Sequence, residues 1–206
     1  MEEEFRKILE KTRHLSHTCS IRSLSMDELS RMIGVSRATL QKYVSGKTEL
    51  VEKALQYERQ MFEEIFQAND FTDANAIDIL LFVSREVFRR FKSVSPSVTF
   101  DLAKYYPAVY KQHITERTDY IFRKIQINLE KGIRQGMYRP DLSIELIARL
   151  YISRLIDIHN PDFFPPDKFS FSTLFEVMFD SFIRSISTGE GLKYYEEKKQ
   201  NPDFEI

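Results

Sequence analysis

SMDELSRMIGVSRATLQKYVSGKTEL, residues Ser25 to Leu50, holds two short helical patterns joined by a glycine turn. Ser25 precedes Glu28 by three residues, the spacing at which hydroxyl and carboxylate each satisfy an unpaired backbone donor at a helix start. This predicts a helix running to about Ile33. Gly34 supplies the left-handed backbone that ends a helix, Val35 an apolar plug for the turn, and Ser36 the cap of a second helix. Leu40 and Val44, four apart, share one face of that second helix and are expected to pack on Leu29 and Ile33. The other face is polar. Arg37, Ala38, Thr39, Gln41 and Lys42 are small or hydrogen-bonding and free of acid, as a surface entering a DNA groove requires. A solvated helical hairpin would carry the same pattern, so the stretch alone leaves both readings open.

Gly34-Val35-Ser36, Thr39-Leu40, Tyr43, Lys47 and Glu49-Leu50 together resemble the DNA-binding signature of the tetracycline-repressor (TetR) family of bacterial transcriptional regulators. The chain departs from the family pattern at Gln41, where tyrosine is usual, at Val44, where phenylalanine is usual, and at Ser30 and Ile33, where alanine is common. The resemblance implies an all-α protein of about nine helices. A helix-turn-helix DNA-binding domain would occupy residues 1–47, and a helical ligand-binding and dimerisation domain residues 48–206. It also implies a homodimer on a palindromic operator, most often a repressor, released when a small-molecule effector binds. Carried over position by position, the DNA-binding residues are Arg37, Thr39, Gln41, Lys42, Tyr43 and Lys47. Arginine fits the guanine edge and glutamine the adenine edge, so Arg37 and Gln41 are expected to read bases; Lys47 is expected to hold a phosphate.

Composition is compatible with this. The 206 residues, 42% hydrophobic, suffice for one sizeable core or two small ones. No run approaches the ~18 apolar residues of a membrane span, and MEEEFRKILE is too acidic for a signal peptide, so a cytoplasmic protein without a membrane partner is expected. The single cysteine, Cys19, cannot form an internal disulfide and is expected half buried beside the first helix. The net charge of -1 conceals an asymmetry: residues 5–48 hold nine Lys and Arg against three acids, net +6, so the remainder carries -7. Such a basic end could steer towards phosphates while the rest stays off them.

Phe5, Ile8, Leu9, Thr12 and Leu15 recur at helical spacing and predict a first helix of about Glu3 to Ser16; in the loop after it Ser20, Arg22 and Ser23 are available to phosphates. A fourth helix is expected from Lys47 to about Ala68, its first turn and Lys47 forming a phosphate clamp, and it is the one evident mechanical link into the second domain. Further helices are expected near Asp73–Ser93, between Pro96 and Pro107, from Pro107 to about Gly132, near Ser143–His159 and near Ser170–Thr188. Gly189-Glu190-Gly191 reads as a helix stop, and the charged tail from Glu190 as frayed beyond a short turn or two.

The last two of those helices are apolar on more than one side. Leu146, Ile147, Leu150, Tyr151, Leu155, Ile156 and Ile158 in one, with Leu174, Phe175, Met178, Phe179, Phe182, Ile183 and Ile186 in the other, exceed one core face and point to a homodimer. Phe62, Phe66, Phe82, Phe100, Tyr105, Tyr120 and Phe122 are candidate walls of an apolar effector pocket, though any one of them would serve equally as core. No metal, cofactor or catalytic constellation is expected: His14, His17 and Cys19 lack a fourth ligand and the usual spacing, and the carboxylate pairs Glu63-Glu64 and Glu196-Glu197 lie in charged sequence. Two rivals remain at this level: a helix-turn-helix scaffold used to bind protein rather than DNA, and a helical enzyme whose residues converge from distant parts of the chain.

Overall fold

The computed structural model describes residues 2–18, 21–91, 96–158, 160, 162–165 and 167–200; of residues 17, 18, 91 and 96–100 it describes the backbone alone. Cys19, Ser20, His159, the tail from residue 201 and the side chains of His17 and Phe100 therefore lie outside the described residues. Within them the chain is all-α. In order come α1 (Glu3–Thr18), a 3-10 turn (Ile21–Ser23), α2 (Met26–Ile33), α3 (Arg37–Tyr43), α4 (Lys47–Gln67), α5 (Ala76–Phe91), α6 (Pro96–Tyr105), α7 (Pro107–Arg134), α8 (Ile144–Asp157), α9 (Phe171–Ile186) and α10 (Gly189–Lys199). The β-pairing among described residues is a single bridge between Tyr138 and Ser187.

The chain divides into two compact units, Met1–Glu64 with Ser93–Arg117, and Ile65–Lys92 with Thr118–Ile206. Residues of α4 and of α7 are shared between the two units. These units are defined by packing and do not divide at residue 47.

In the first unit Ile8 and Leu9 of α1, Leu29 and Ile33 of α2, Leu40 and Val44 around α3, and Leu50, Val51, Leu55 and Tyr57 of α4 close one core. Leu102, Tyr106 and Val109 pack on it, so α6 and the start of α7 belong with the helix-turn-helix. Two polar groups inside it are satisfied locally: the Thr12 hydroxyl donates to the Ile8 carbonyl and the Ser30 hydroxyl to that of Asp27. His113, 4% exposed, shares its Nδ1 with the Arg59 guanidinium at 3.1 Å, and Arg59 also pairs with Glu116 at 2.6 Å. Burial is the main reason its imidazole is held down at about 4.

In the second unit α9 buries Phe175, Met178, Phe179, Phe182, Ile183 and Ile186. Those six are therefore core, not dimer surface. α8 behaves differently, burying Ala148 and Tyr151 while Leu146 stays 55%, Leu150 46% and Ile156 46% exposed. Asn128 joins three segments, donating to the Ala76 carbonyl and accepting from the Tyr138 hydroxyl.

The C-terminal segment corrects the sequence reading. Gly189-Glu190-Gly191 starts a helix rather than stopping one, because Thr188 caps it by accepting from the Gly191 amide at 3.1 Å. α10 is then held along its length. Tyr194 donates to Asp78 at 2.6 Å, Tyr195 and Lys199 donate to Asp180, each at 3.0 Å, and Arg184 pairs with Glu196 at 2.7 Å. Burial alone would raise the Asp180 carboxyl, but bonds from Arg184, Lys199 and Tyr195 outweigh it and hold it at about 2. Gly191 is required by space, since a Cβ there would run into the Met137 carbonyl.

Candidate nucleic-acid interface

The site is built by two caps and a turn. Ser25 and Glu28 cap each other across the start of α2: the Glu28 amide donates to the Ser25 hydroxyl at 3.2 Å, and the Ser25 amide to the Glu28 carboxylate at 2.7 Å. That bond is the largest reason the Glu28 carboxyl is held below its usual range. Gly34 ends the helix at φ 82, a backbone that a side chain would strain, and Lys11 donates to the Ile33 carbonyl at 2.7 Å beside it. Ser36 then caps α3 by accepting from the Thr39 amide at 2.9 Å. With Leu40 and Val44 buried on one side, α3 turns Arg37, Ala38, Gln41 and Lys42 to solvent.

The six residues expected to meet DNA differ in what they do here. Gln41 and Lys42 are exposed. Thr39 is half buried, its hydroxyl 2.8 Å from that of Ser36. Arg37 donates from Nη1 to Asp27 at 2.8 Å. Tyr43 stacks on Phe5, ring centroids 4.7 Å apart, and its hydroxyl lies 2.8 Å from a carboxylate oxygen of both Glu4 and Glu2. Those two hydrogen bonds push the phenol above its usual range. Lys47 donates to the Arg22 carbonyl at 2.8 Å.

At the start of α4, where the sequence reading outlines a phosphate clamp, a carboxylate of the chain itself is present. Glu49 accepts from the Ser45 amide at 2.8 Å and the Ser45 hydroxyl at 2.7 Å, just ahead of the first turn of α4. Sequence reasoning also passed over Glu2, Glu4 and Asp27 as neighbours of the reading face. A charge window opened at residue 5 excludes Glu2, Glu3 and Glu4, and including them halves its net positive charge.

The aromatic residues assigned to an effector pocket separate. Phe66, Phe71 and Phe82 form a chain of edge-to-face contacts in the second unit, with Tyr120 on Phe66 at 5.9 Å. Phe71, at the centre, was not among the sequence candidates; its place in a loop rather than a helical stripe hid it. Phe122 lies under the Arg149 guanidinium, 5.0 Å from it. Phe62 and Tyr105 belong to the first unit, where the Arg22 guanidinium sits 3.8 Å above the Tyr105 ring. A cavity of about 10 Å³ lined by Arg13, Ile21, Leu55, Glu58 and Leu102 in that unit has room for one water and not for an organic effector. Among the described residues no group of three or more His, Cys, Asp or Glu is arranged to hold a metal ion, and no helix is long and apolar enough to cross a membrane.

A family model described as helix-turn-helix matches residues 22–55. No curated protein matches the chain in sequence. Solved structures do match in fold. One, from Saccharomonospora viridis, assigned as a transcriptional regulator and solved in complex with choline, is 17% identical with a TM-score of 0.72, over 91% of this chain and 100% of that one. A TetR-family transcriptional regulator from Agrobacterium tumefaciens is 15% identical, TM-score 0.68, over 91% and 100%. The fatty acid degradation regulator FadR from Bacillus halodurans is 11% identical, TM-score 0.67, over 89% and 96%. At such identities the likeness establishes a shared fold.

Proposed function

We propose that this chain, which has the fold of the TetR-family transcriptional regulators, is a cytoplasmic, homodimeric, sequence-specific DNA-binding regulator, acting as a repressor that a small-molecule effector releases from its operator. The observation that carries the reading is α3: a capped helix, without an acidic residue of its own, with Leu40 and Val44 buried on one side and Arg37, Gln41 and Lys42 exposed on the other. In this reading Arg37 and Gln41 read base edges, while Thr39, Lys42, Tyr43 and Lys47 support the approach to the backbone. Tyr43 and Lys47 first exchange Glu2, Glu4 and Arg22 for phosphates. Residues 1–47 are the reading head and residues 48–206 the part that senses and pairs.

Pairing is supported by the apolar face left on α8, where Leu146, Leu150 and Ile156 are exposed, together with Val177 of α9 at 60%. Two copies meeting there would bury it in a four-helix interface, and two-fold symmetry then calls for a palindromic operator. The effector wall is drawn from Phe66, Phe82 and Tyr120 around Phe71, with Phe122 as a further proposed contact, all within the second unit. A ligand shifts the protein off DNA only by its preference for the released conformation, about 5.5 kcal/mol for a near-complete switch.

Mobility-shift titration on a pool of random duplexes, followed by sequencing of the retained fraction, tests the reading. A recovered palindrome bound by a dimer supports it. Binding that is absent, or indifferent to sequence at every salt concentration, overturns it.

A further inference from the structure

Asp27 and Arg37 stand in the first turns of α2 and α3 and meet across the glycine turn, Arg37 Nη1 donating to Asp27 Oδ2 at 2.8 Å. We propose that Asp27 is a positioning residue for base recognition, holding the Arg37 guanidinium in the orientation that reads one base pair of each half-site. The inference rests on the DNA-binding reading above and deepens it.

Arginine discriminates guanine by aiming two donors at O6 and N7 together, so the plane and direction of the fork matter as much as its charge. An exposed arginine with nothing to hold it spreads over many rotamers, and fixing one on binding costs entropy. A carboxylate on one terminal nitrogen removes that spread and leaves the other donors to aim. Here a single Nη1 contact is made, and among the described residues the other Arg37 donors make no hydrogen bond. Both anchors lie in capped first turns. Asp27 sits inside the Ser25–Glu28 capping box, and Arg37 directly follows the Ser36 cap. As a stabilising bridge the pair contributes little, because its side chains are 53% and 57% exposed. An acid beside a DNA-facing helix also opposes phosphates. Orientation of Arg37 is the role that offsets that repulsion.

The test compares wild type, Asp27→Ala, Asp27→Glu, Arg37→Ala and the Asp27→Ala/Arg37→Ala double variant. Each is titrated at fixed salt with the operator recovered from random duplexes and with a set carrying single base-pair substitutions; melting temperature is read in parallel. Arg37→Ala should abolish discrimination at one base pair per half-site. Asp27→Ala should reduce discrimination at that same base pair by about tenfold, within the usual worth of one bidentate contact. Its affinity for unrelated duplexes should hold or rise, and its melting temperature should be unchanged. Asp27→Glu should restore part of the discrimination, and in the Arg37→Ala background the Asp27 change should add nothing. Full discrimination in Asp27→Ala, a loss at positions that Arg37→Ala leaves intact, or a uniform loss with a lowered melting temperature overturns the positioning role alone. A wild-type chain that binds no duplex removes the DNA reading and this inference with it.

Discussion

In the helix-turn-helix the caps join residues three apart in sequence, Ser25 with Glu28 and Ser36 with Thr39, whereas α10 is held by Asp180, 15 residues from Tyr195, and by Asp78, 116 residues from Tyr194. The first arrangement is written into a short window and forms wherever that window goes. The second exists only after α5, α9 and α10 have been brought together. Polar residues of similar kind thus serve as local helix-start caps in one region and as long-range staples in the other. The two regions should accordingly fail in different ways when perturbed.

The largest effect is expected at Gly191→Ala. A Cβ at that position collides with the Met137 carbonyl, a backbone atom that cannot rotate away, so the substitution should destabilise by about 3 kcal/mol, the upper end of overpacking costs. Urea unfolding should show the loss, while DNA affinity of the remaining folded protein should be little changed. A variant as stable as wild type would mean that α10 shifts freely and that its staples are loose.

A second effect sits in the first unit's own long-range knot, Arg59 with His113 and Glu116. The imidazole is depressed from 6.5 to about 4 chiefly by burial, with Arg117 and Arg59 adding to the shift and Glu58 opposing it. Between pH 6.5 and 4 the unfolded chain takes up a proton that the folded chain refuses, so stability falls as pH drops through that window. The loss should already reach roughly 2 kcal/mol by pH 5. Denaturation midpoints followed from pH 7 to pH 4 should fall less steeply in His113→Gln than in wild type; equal slopes would place the acid sensitivity on carboxylates instead.

The smallest effect, about 1 kcal/mol, is expected for Ser25→Ala, which removes a side-chain cap and leaves the core untouched. Amide exchange should quicken in the first turn of α2 and leave α9 unaffected. Protection lost equally in α9 would show that the two regions are one cooperative unit, and the contrast between local and remote stitching would collapse.

How far the site could be read from sequence follows the same division. Ser25, Gly34, Ser36, Leu40 and Val44 sit within one or two turns of their partners, so spacing alone placed them correctly. Arg37, Gln41 and Lys42 followed, because a helix with two buried positions has a definite outward face. The neighbours of that face were illegible: Asp27 reaches Arg37 over ten residues of chain, and Glu4 reaches Tyr43 over 39. In the second unit the apolar content of α8 and α9 was plain, but not which helix kept its surface. α9 buries its large side chains and α8 leaves Leu146, Leu150 and Ile156 exposed. Composition records how much apolar surface a helix has, while burial depends on what lies opposite.

By itself the sequence determined the all-α class, the helix-turn-helix with its two caps and its turn, and the outward set on α3, because each depends on contacts within a few residues where backbone geometry leaves little choice. Tertiary structure alone decided that α6 joins the helix-turn-helix core, that Gly189 begins a helix, that Phe71 links Phe66 to Phe82, and that Asp27 faces Arg37. Those depend on which segments, remote along the chain, meet when apolar surface is buried, and residue spacing carries no record of that meeting.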